Sequence, residues 1–197
     1  MIPMNPQTKK YIIEIIEAHK KMTDEFEKDG IETIAAVAEA ITNSLQQGGT
    51  VYLCGNGGSA ADAQHVAGEL LGRFNRERKP LAAVALSTDS STLTCIANDY
   101  SYEKVFSRQA EALVRKGDIL WAFSTSGASA NVIAAVQVAR EKGARVIAFT
   151  GRRGSKLEQI SDICLCASVE STARSQEIHQ LAYHIICDLV ERAFMNS

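Results

Sequence analysis

A histidine and a carboxylate that could bind one metal ion stand four residues apart, at His65 and Glu69. On a helix this spacing places the two side chains one above the other on the same face. An imidazole and a carboxylate arranged in this way can share a divalent cation, and Zn²⁺ accepts both ligand types. The same pair can also form an ordinary surface hydrogen bond. A metal or acid–base site is therefore a hypothesis that other residues must support.

Two more histidines and a glutamine occur near the end of the chain, at Gln176, His179 and His184. His179 and His184 are five residues apart and cannot easily face the same way on a helix, so we expect one of them to point outward. Helical geometry does not decide which one. Gln176 and His184 are eight residues apart, which is an axial rise of about 12 Å. Both can bind a single ion only if it lies midway between them.

Two predicted strand-to-helix junctions combine glycine with hydroxyl side chains, CGNGGSA at 54–60 and FSTSGAS at 123–129. Glycine lets the backbone approach an anion closely, and a helix N-terminus offers unpaired N–H groups. Tight turns with ordinary helix caps have a similar composition. Two such loops on neighbouring strands nevertheless favour a ligand site, and their hydroxyl groups favour a phosphorylated polyol.

Nucleotide sites fit the first loop poorly. Gly55, Gly57 and Ala60 match the spacing of the dinucleotide fingerprint, but that motif also needs an acidic residue about 20 positions further on. The nearest candidate at the end of the second predicted strand, Asp89, comes much too late. The chain also contains no GxxxxGK[ST] segment of the kind that cradles nucleotide phosphates.

The elements that position these residues follow from the distribution of apolar residues. Short runs rich in Val, Ile and Leu predict five strands, at 50–54, 81–86, 118–123, 145–150 and 162–166. Their apolar residues are continuous rather than alternating, which indicates burial on both faces of a parallel sheet. Helices are predicted between and after them, at 59–75, 89–115 with a break near 98–101, 129–142, 155–160 and 172–195.

Two further helices are predicted before the first strand, at 7–28 and 31–47, separated by Gly30. The expected fold is therefore α/β, a doubly wound five-stranded parallel sheet with two extra N-terminal helices. The long apolar stripes of these two helices need partners, so we do not expect a lone monomer.

Composition excludes several classes of protein. The chain has 197 residues, 46% of them hydrophobic, with a net charge of −2, which predicts one compact domain and no basic excess for nucleic acid. No apolar run approaches the roughly 18 residues of a membrane span, and the N-terminal residues lack the pattern of a secretory signal. The five cysteines, Cys54, Cys95, Cys164, Cys166 and Cys187, form no CxxC pair. We therefore expect a cytoplasmic protein.

An ordered set of motifs resembles the phosphoheptose isomerase family of the sugar isomerase (SIS) domain superfamily, over nearly the whole chain. Besides His65 and Glu69, the motifs are NGGS at 56–59, ND at 98–99, STSG at 124–127, SANV at 129–132 and RSQExH at 174–179. The resemblance implies a flavodoxin-like sheet in a single SIS domain over residues 1–197. Residues 1–47 would pack on the domain and in the assembly, a homotetramer with active sites between subunits.

The resemblance also implies roles for the residues at matching positions. One zinc ion per subunit would be bound by His65, Glu69, Gln176 and His184, with Glu69 and His184 as the acid–base pair. Substrate contacts would be Asn56, Gly57, Gly58, Ser59, Glu69, Asn98, Asp99, Ser124, Thr125, Ser126, Ser129 and Gln176, with Arg73, one turn beyond Glu69, as a further contact. Ala128 and Ser175 depart from the family pattern, but neither departure removes a ligand.

The implied reaction converts sedoheptulose 7-phosphate to D-glycero-D-manno-heptose 7-phosphate through an enediolate, the first step towards the heptose of bacterial surface glycans. Two alternatives remain open at this point. One is an isomerase of another sugar phosphate on the same fold, and the other is a non-catalytic SIS-domain protein of the type that associates with the replication initiator. Loss of the metal and acid–base residues would mark the non-catalytic type, and all four are present here.

Overall fold

The structure, a computed structural model, describes residues 5–195. Its helices are α1 (Pro6–Gln46), α2 (Gly58–Leu71), α3 (Ser90–Asp99), α4 (Ser107–Leu113), α5 (Ala130–Glu141), α6 (Lys156–Gln159) and α7 (Thr172–Ala193), with a 3₁₀ turn at Tyr102–Lys104. Its strands are β1 (Val51–Cys54), β2 (Ala83–Ala85), β3 (Ile119–Ser124), β4 (Arg145–Thr150) and β5 (Ile163–Cys166). The predicted break in the segment 89–115 is confirmed, because α3 and α4 are separate helices.

The five strands form one sheet in which every neighbouring pair is parallel. Their order is β2-β1-β3-β4-β5, so the predicted doubly wound α/β fold class is confirmed. The chain leaves β1 towards one edge of the sheet and β3 towards the other. The two glycine and hydroxyl loops follow Cys54 of β1 and Ser124 of β3, at the switch point where such sheets bind ligands.

The continuous apolar runs of the strands contribute side chains to two hydrophobic cores, one on each face of the sheet. Trp121, Phe123 and Phe149 belong to the core on the side of α1, α2 and α7, and the rings of Phe123 and Phe149 meet with centroids 5.2 Å apart. The intervening strand residues, such as Leu120 and Ala122, belong to the core beneath α4 and α5. Successive side chains of a strand point to opposite faces, so burial of both faces requires apolar residues at every position.

The N-terminal region forms one helix of 41 residues rather than the two that were predicted. Gly30 lies inside α1 and is buried, and a Cβ at this position would stand 2.5 Å from ring carbons of Phe26. The glycine therefore makes room for an aromatic ring on the same helix and does not end the helix. Within residues 5–195, neither α1 nor any other helix combines the length and the apolar character that a membrane span needs.

Candidate active site

Three possible metal ligands from two helices meet where α2 packs against α7. They are His65 and Glu69 of α2 and His184 of α7, and their ligand atoms all lie within 4.8 Å of one another. His65 Nε2 is 3.0 Å from Glu69 Oε1, and the two imidazole rings are 5.0 Å apart between centroids. Two imidazoles and one carboxylate suit Zn²⁺ chemically, so the side chains present fit the metal that the resemblance implies.

Gln176, the fourth implied ligand, lies in the first turns of α7 against the first glycine loop. A Cβ at Gly58 would stand 2.4 Å from Gln176 Nε2, so the close approach of the amide requires glycine at this position. The contact brings α7 to the beginning of α2, two turns before His65. Gln176 thus lies beside α2, which carries His65 and Glu69, and its role as a ligand stays a prediction.

His179 points inward, and of the two histidines it is His184 that is partly exposed. The His179 side chain is fully buried, Nε2 lies 3.1 Å from the carbonyl oxygen of Thr150, and the ring packs against Phe149. The reason is that α7 is enclosed on two sides, with His179 facing the sheet and His184 facing α2. Burial lowers the pKa of His179 to about 4, although the hydrogen bond with Thr150 opposes the shift.

The pKa of His184 is also lowered, first by partial burial and then by the neighbouring His65, while Glu69 opposes the shift. A lowered pKa keeps the imidazole neutral at neutral pH. The neutral imidazole is the form that can accept a proton or bind a metal. His184 therefore has both the position and the protonation state that the predicted roles require.

A tyrosine and an aspartate that the sequence analysis missed lie behind His65. The Tyr183 phenol oxygen is 3.0 Å from His65 Nδ1, which leaves Nε2 on the side of Glu69 and His184. Burial raises the pKa of Asp62 to about 6, while the hydrogen bond with Tyr183 and the charge of His65 oppose the shift. Asp62 is one turn before His65 on α2, and Tyr183 is adjacent to His184. These spacings are the only sequence signal that could have indicated them.

The first loop is held by a pair of amides. Asn56 Nδ2 donates to Asn131 Oδ1 and Asn131 Nδ2 donates to Asn56 Oδ1, both over 2.9 Å, and the Tyr102 hydroxyl also donates to Asn56 Oδ1. Gly57 has a φ of +56°, a conformation that favours glycine. Asn131 is nearly fully buried, so it joins the two loops from below. Asn131 and Tyr102 were not among the predicted site residues.

The second loop gathers three hydroxyl groups at the start of α5. The oxygens of Ser124 and Ser129 are 2.9 Å apart, those of Ser124 and Ser126 are 3.3 Å apart, and Ser126 accepts the N–H of Ala128. Gly127 turns the chain with a φ of +62°. Hydroxyl groups at the N-terminus of a helix form an arrangement suited to a phosphate.

Other predicted contacts lie apart from these groups. Asn98 and Asp99 are exposed, and Asn98 Nδ2 donates to Asp99 Oδ1 over 2.9 Å within α3. Arg73 is also exposed and lies beyond α2, which ends at Leu71. The helix predicted to run to residue 75 therefore stops early, and Arg73 is not on the helical face of Glu69. All three remain predicted substrate contacts.

The sequence matches the family model of the SIS domain over residues 14–151. A phosphoheptose isomerase of Roseiflexus sp. (strain RS-1) is 48% identical over 183 residues, which cover 93% of this chain and 93% of the relative. The structure of a phosphoheptose isomerase from Neisseria gonorrhoeae is 43% identical, with a TM-score of 0.89, and the match covers 94% of this chain and 99% of that chain. For a phosphoheptose isomerase from Francisella tularensis the identity is 36%, the TM-score 0.90, and the coverage 96% and 100%.

The parallel sheet and the family match define a SIS-domain protein. The identities, which extend over more than nine-tenths of the chain, show more than the domain. The chain belongs to the phosphoheptose isomerase family. This membership confirms the predicted resemblance and the predicted class of enzyme, an isomerase, over the non-catalytic alternative.

Proposed function

We propose that the protein interconverts sedoheptulose 7-phosphate and D-glycero-D-manno-heptose 7-phosphate, an aldose–ketose isomerisation. The observation that carries the proposal is the cluster of His65, Glu69 and His184, whose ligand atoms lie within 4.8 Å of one another. Two of the three residues are on α2, which begins directly after the first glycine loop. An acid–base pair, possible metal ligands and hydroxyl-rich loops are the groups that isomerisation of a sugar phosphate needs.

The reaction moves a proton between C1 and C2 through a cis-enediolate. Glu69, whose side chain is 21% exposed, accepts the carbon-bound proton in our proposal, and His184 exchanges protons on the opposite face of the substrate. A carboxylate that binds a cation is a weaker base, because the cation stabilises its charged form. Glu69 is therefore a better base while it is not bound to the metal.

Zinc held by His65, Glu69, Gln176 and His184 would supply Lewis-acid polarisation of the sugar oxygens. The chain itself orients the substrate. We assign the phosphate to the loop of Ser124, Thr125, Ser126 and Ser129, whose hydroxyls and helix N-terminus attract an anion, and the sugar hydroxyls to the loop of Asn56, Gly57, Gly58 and Ser59. Binding energy gained at the phosphate can then orient the reacting carbons. Arg73, Asn98, Asp99 and Gln176 are the remaining proposed contacts.

We further propose that the chain is a single SIS domain that acts as a cytoplasmic homotetramer with active sites between subunits, and that it supplies heptose for bacterial surface glycans. Exposed apolar side chains on α1 and α7 support an assembly, among them Tyr11 and Ile16 on α1 and Ile185 and Leu189 on α7. Several large apolar side chains exposed on the same two helices are typical of an interface. Size-exclusion chromatography with light scattering tests the tetramer, and a monodisperse monomer would contradict it.

The experiment for the activity is to incubate the purified protein with sedoheptulose 7-phosphate and to follow the aldose product by NMR. Pentose 5-phosphates and hexose 6-phosphates, tested in parallel, decide between the heptose and another sugar phosphate. Elemental analysis of protein purified without chelators is expected to find about one zinc per chain, as for a catalytic zinc site with three or four protein ligands. No turnover of any sugar phosphate by the zinc-loaded protein would contradict the proposal, and full activity without metal would contradict the role of zinc.

A further inference from the structure

A fully buried carboxylate, Glu191, holds the segment that follows α2. Its two oxygens accept the backbone N–H groups of Phe74, Asn75 and Arg76 at distances of 2.8, 2.8 and 2.9 Å. A buried carboxylate is unfavourable unless it is paired and hydrogen-bonded. Burial alone would raise the pKa of Glu191, but the three N–H groups and Arg78 outweigh it, so the pKa is lowered and the group stays charged.

Arg78 contacts the same region from the other side, at the end of α2. Its side chain is only 2% exposed, and Nε is 3.7 Å from Glu191 Oε1. Its guanidinium donates to the carbonyl oxygens of Glu69 at 2.6 Å, Leu70 at 2.8 Å and Gly72 at 3.0 Å. Carbonyls at a helix C-terminus lack partners within the helix, and a cation there is also favoured by the helix dipole. Glu191 and Arg78 together therefore fix the last turn of α2 and the segment beyond it.

This pair is connected to two members of the metal and acid–base cluster. Arg78 binds the carbonyl of Glu69, the residue whose carboxylate belongs to the cluster. Glu191 holds the backbone of Phe74, whose ring lies 5.7 Å from the His184 ring between centroids. Glu191 is also seven residues after His184 on α7, so both side chains lie on the helical face that meets α2.

We propose that Glu191 and Arg78 are positioning residues that set the separation and orientation of Glu69 and His184. The proposal rests on the function proposed above, because it concerns the same cluster. The Glu191 carboxylate and the Arg78 guanidinium join α2 to α7 at one end of the seam between the two helices. Without them the last turn of α2 loses this polar connection to α7, and the backbone of Phe74, whose ring lies beside His184, loses its hydrogen bond to Glu191.

The test compares Glu191→Gln with Asp118→Asn. Asp118 is also a buried carboxylate that accepts backbone N–H groups, from Thr50 at 2.9 Å and Arg115 at 2.7 Å, but these partners lie in the segments before β1 and β3 and not on α2 or α7. Both variants are expected to lower the melting temperature. Only Glu191→Gln is expected to weaken zinc binding, by about 10- to 100-fold, the usual effect of losing a group that orients metal ligands. It should also lower kcat more than it raises KM.

Zinc affinity is measured by competition with a chelator, and hydrogen exchange of residues 68–74 is measured on the metal-free protein. Exchange in this segment should be faster in Glu191→Gln than in Asp118→Asn. If the wild-type protein binds no zinc and turns over no sugar phosphate, the proposed function fails, and the exchange data still decide whether the pair holds α2. Equal exchange, or equal zinc affinity and kcat in the two variants, would overturn the proposal.

Arg78→Lys provides a second variant if Glu191→Gln does not fold. Lysine keeps the charge but loses the planar group that reaches several carbonyls at once. The same changes in zinc affinity, kcat and exchange are expected, with a smaller loss of stability. A folded Arg78→Lys protein with wild-type values for all three would contradict the proposal.

Discussion

Two histidines on different sides of α7 have contrasting surroundings. His179 is fully buried against the sheet, and its ring nitrogen Nε2 contacts the carbonyl oxygen of Thr150. His184 is partly exposed and faces the imidazole of His65 and the carboxylate of Glu69 across the seam with α2. Burial is the first cause of the lowered pKa of both histidines.

The contrast shows that a perturbed pKa does not by itself indicate a functional residue. The partners of the group and its access to solvent make the difference. An imidazole that contacts a backbone carbonyl inside an apolar core stabilises the fold and has no route to a substrate. An imidazole that shares an open cleft with another imidazole and a carboxylate can exchange protons or bind a metal. The following predictions test whether substitutions on the two sides of α7 have different effects on turnover, zinc affinity and stability.

The largest effect is expected from Glu69→Gln, on the side of α7 that faces α2. Glutamine keeps the shape of the side chain but cannot accept a proton from carbon. Turnover should fall by a factor of about 10²–10⁴, the usual contribution of a general acid or base, while the melting temperature changes little. The measurement is kcat with sedoheptulose 7-phosphate, the proposed substrate. Glu17→Gln on the exposed surface of α1 is the control, and turnover within tenfold of that control would refute the assignment of the base.

For His179 we expect the opposite: its protonation in acid lowers the stability of the protein and has no direct effect on turnover. Its pKa is lowered from the ordinary value of 6.5 to about 4 in the folded protein, so between these pH values the unfolded chain binds a proton that the folded protein does not. The stabilisation is complete above pH 6.5 and is lost as the pH falls towards 4, by up to about 3 kcal/mol. His179→Gln should therefore lose less stability than the wild type over this range. Denaturant unfolding at several pH values measures the difference.

Asp62 is expected to change the stability of the protein over nearly the same pH range as His179, but in the opposite direction. Its pKa is raised from 3.8 to about 6 in the folded protein, so the folded state binds the proton more tightly and gains stability as the pH falls from 6 to 3.8. Asp62→Asn should lose that gain and become less stable relative to the wild type in acid.

For His179, stability curves of His179→Gln and the wild type that run parallel between pH 6.5 and 4 would contradict the prediction.

What could be predicted from the sequence was local. The strands are visible because burial of both faces demands continuous apolar residues, and His65 and Glu69 are visible because four residues make one helical turn. The predicted helix boundary at Gly30 is wrong because glycine also occurs inside helices where a large ring, here that of Phe26, needs the space.

The support behind the cluster could not be predicted in this way. Tyr183 contacts His65 across 118 positions of sequence, and Glu191 contacts the Phe74 backbone across 117. These contacts exist only once α2 has packed against α7, and no spacing within either helix indicates them. Residue types that could do chemistry were therefore found from sequence, whereas the residues that orient them required the fold.

The smallest expected effect comes from Tyr183→Phe, which removes one oxygen from behind His65. The phenol oxygen contacts Nδ1 at 3.0 Å, and this contact keeps the ring oriented with Nε2 towards Glu69 and His184. Groups that orient a metal-bound imidazole usually contribute 10- to 100-fold to metal affinity, and loss of one neutral hydroxyl should give about tenfold. Ring packing is kept, because the Tyr183 ring still lies against the His184 ring.

Chelator competition measures the zinc affinity of Tyr183→Phe, with Tyr102→Phe as the matched control. Tyr102 donates its hydroxyl proton to Asn56 in the first loop rather than to a cluster residue, so its loss should leave zinc affinity unchanged and raise KM instead. Equal zinc affinity in the two variants would mean that Glu69 alone orients His65. In that case the two sides of α7 would differ only through the side chains of the cluster, and Tyr183 would have no part in orienting them.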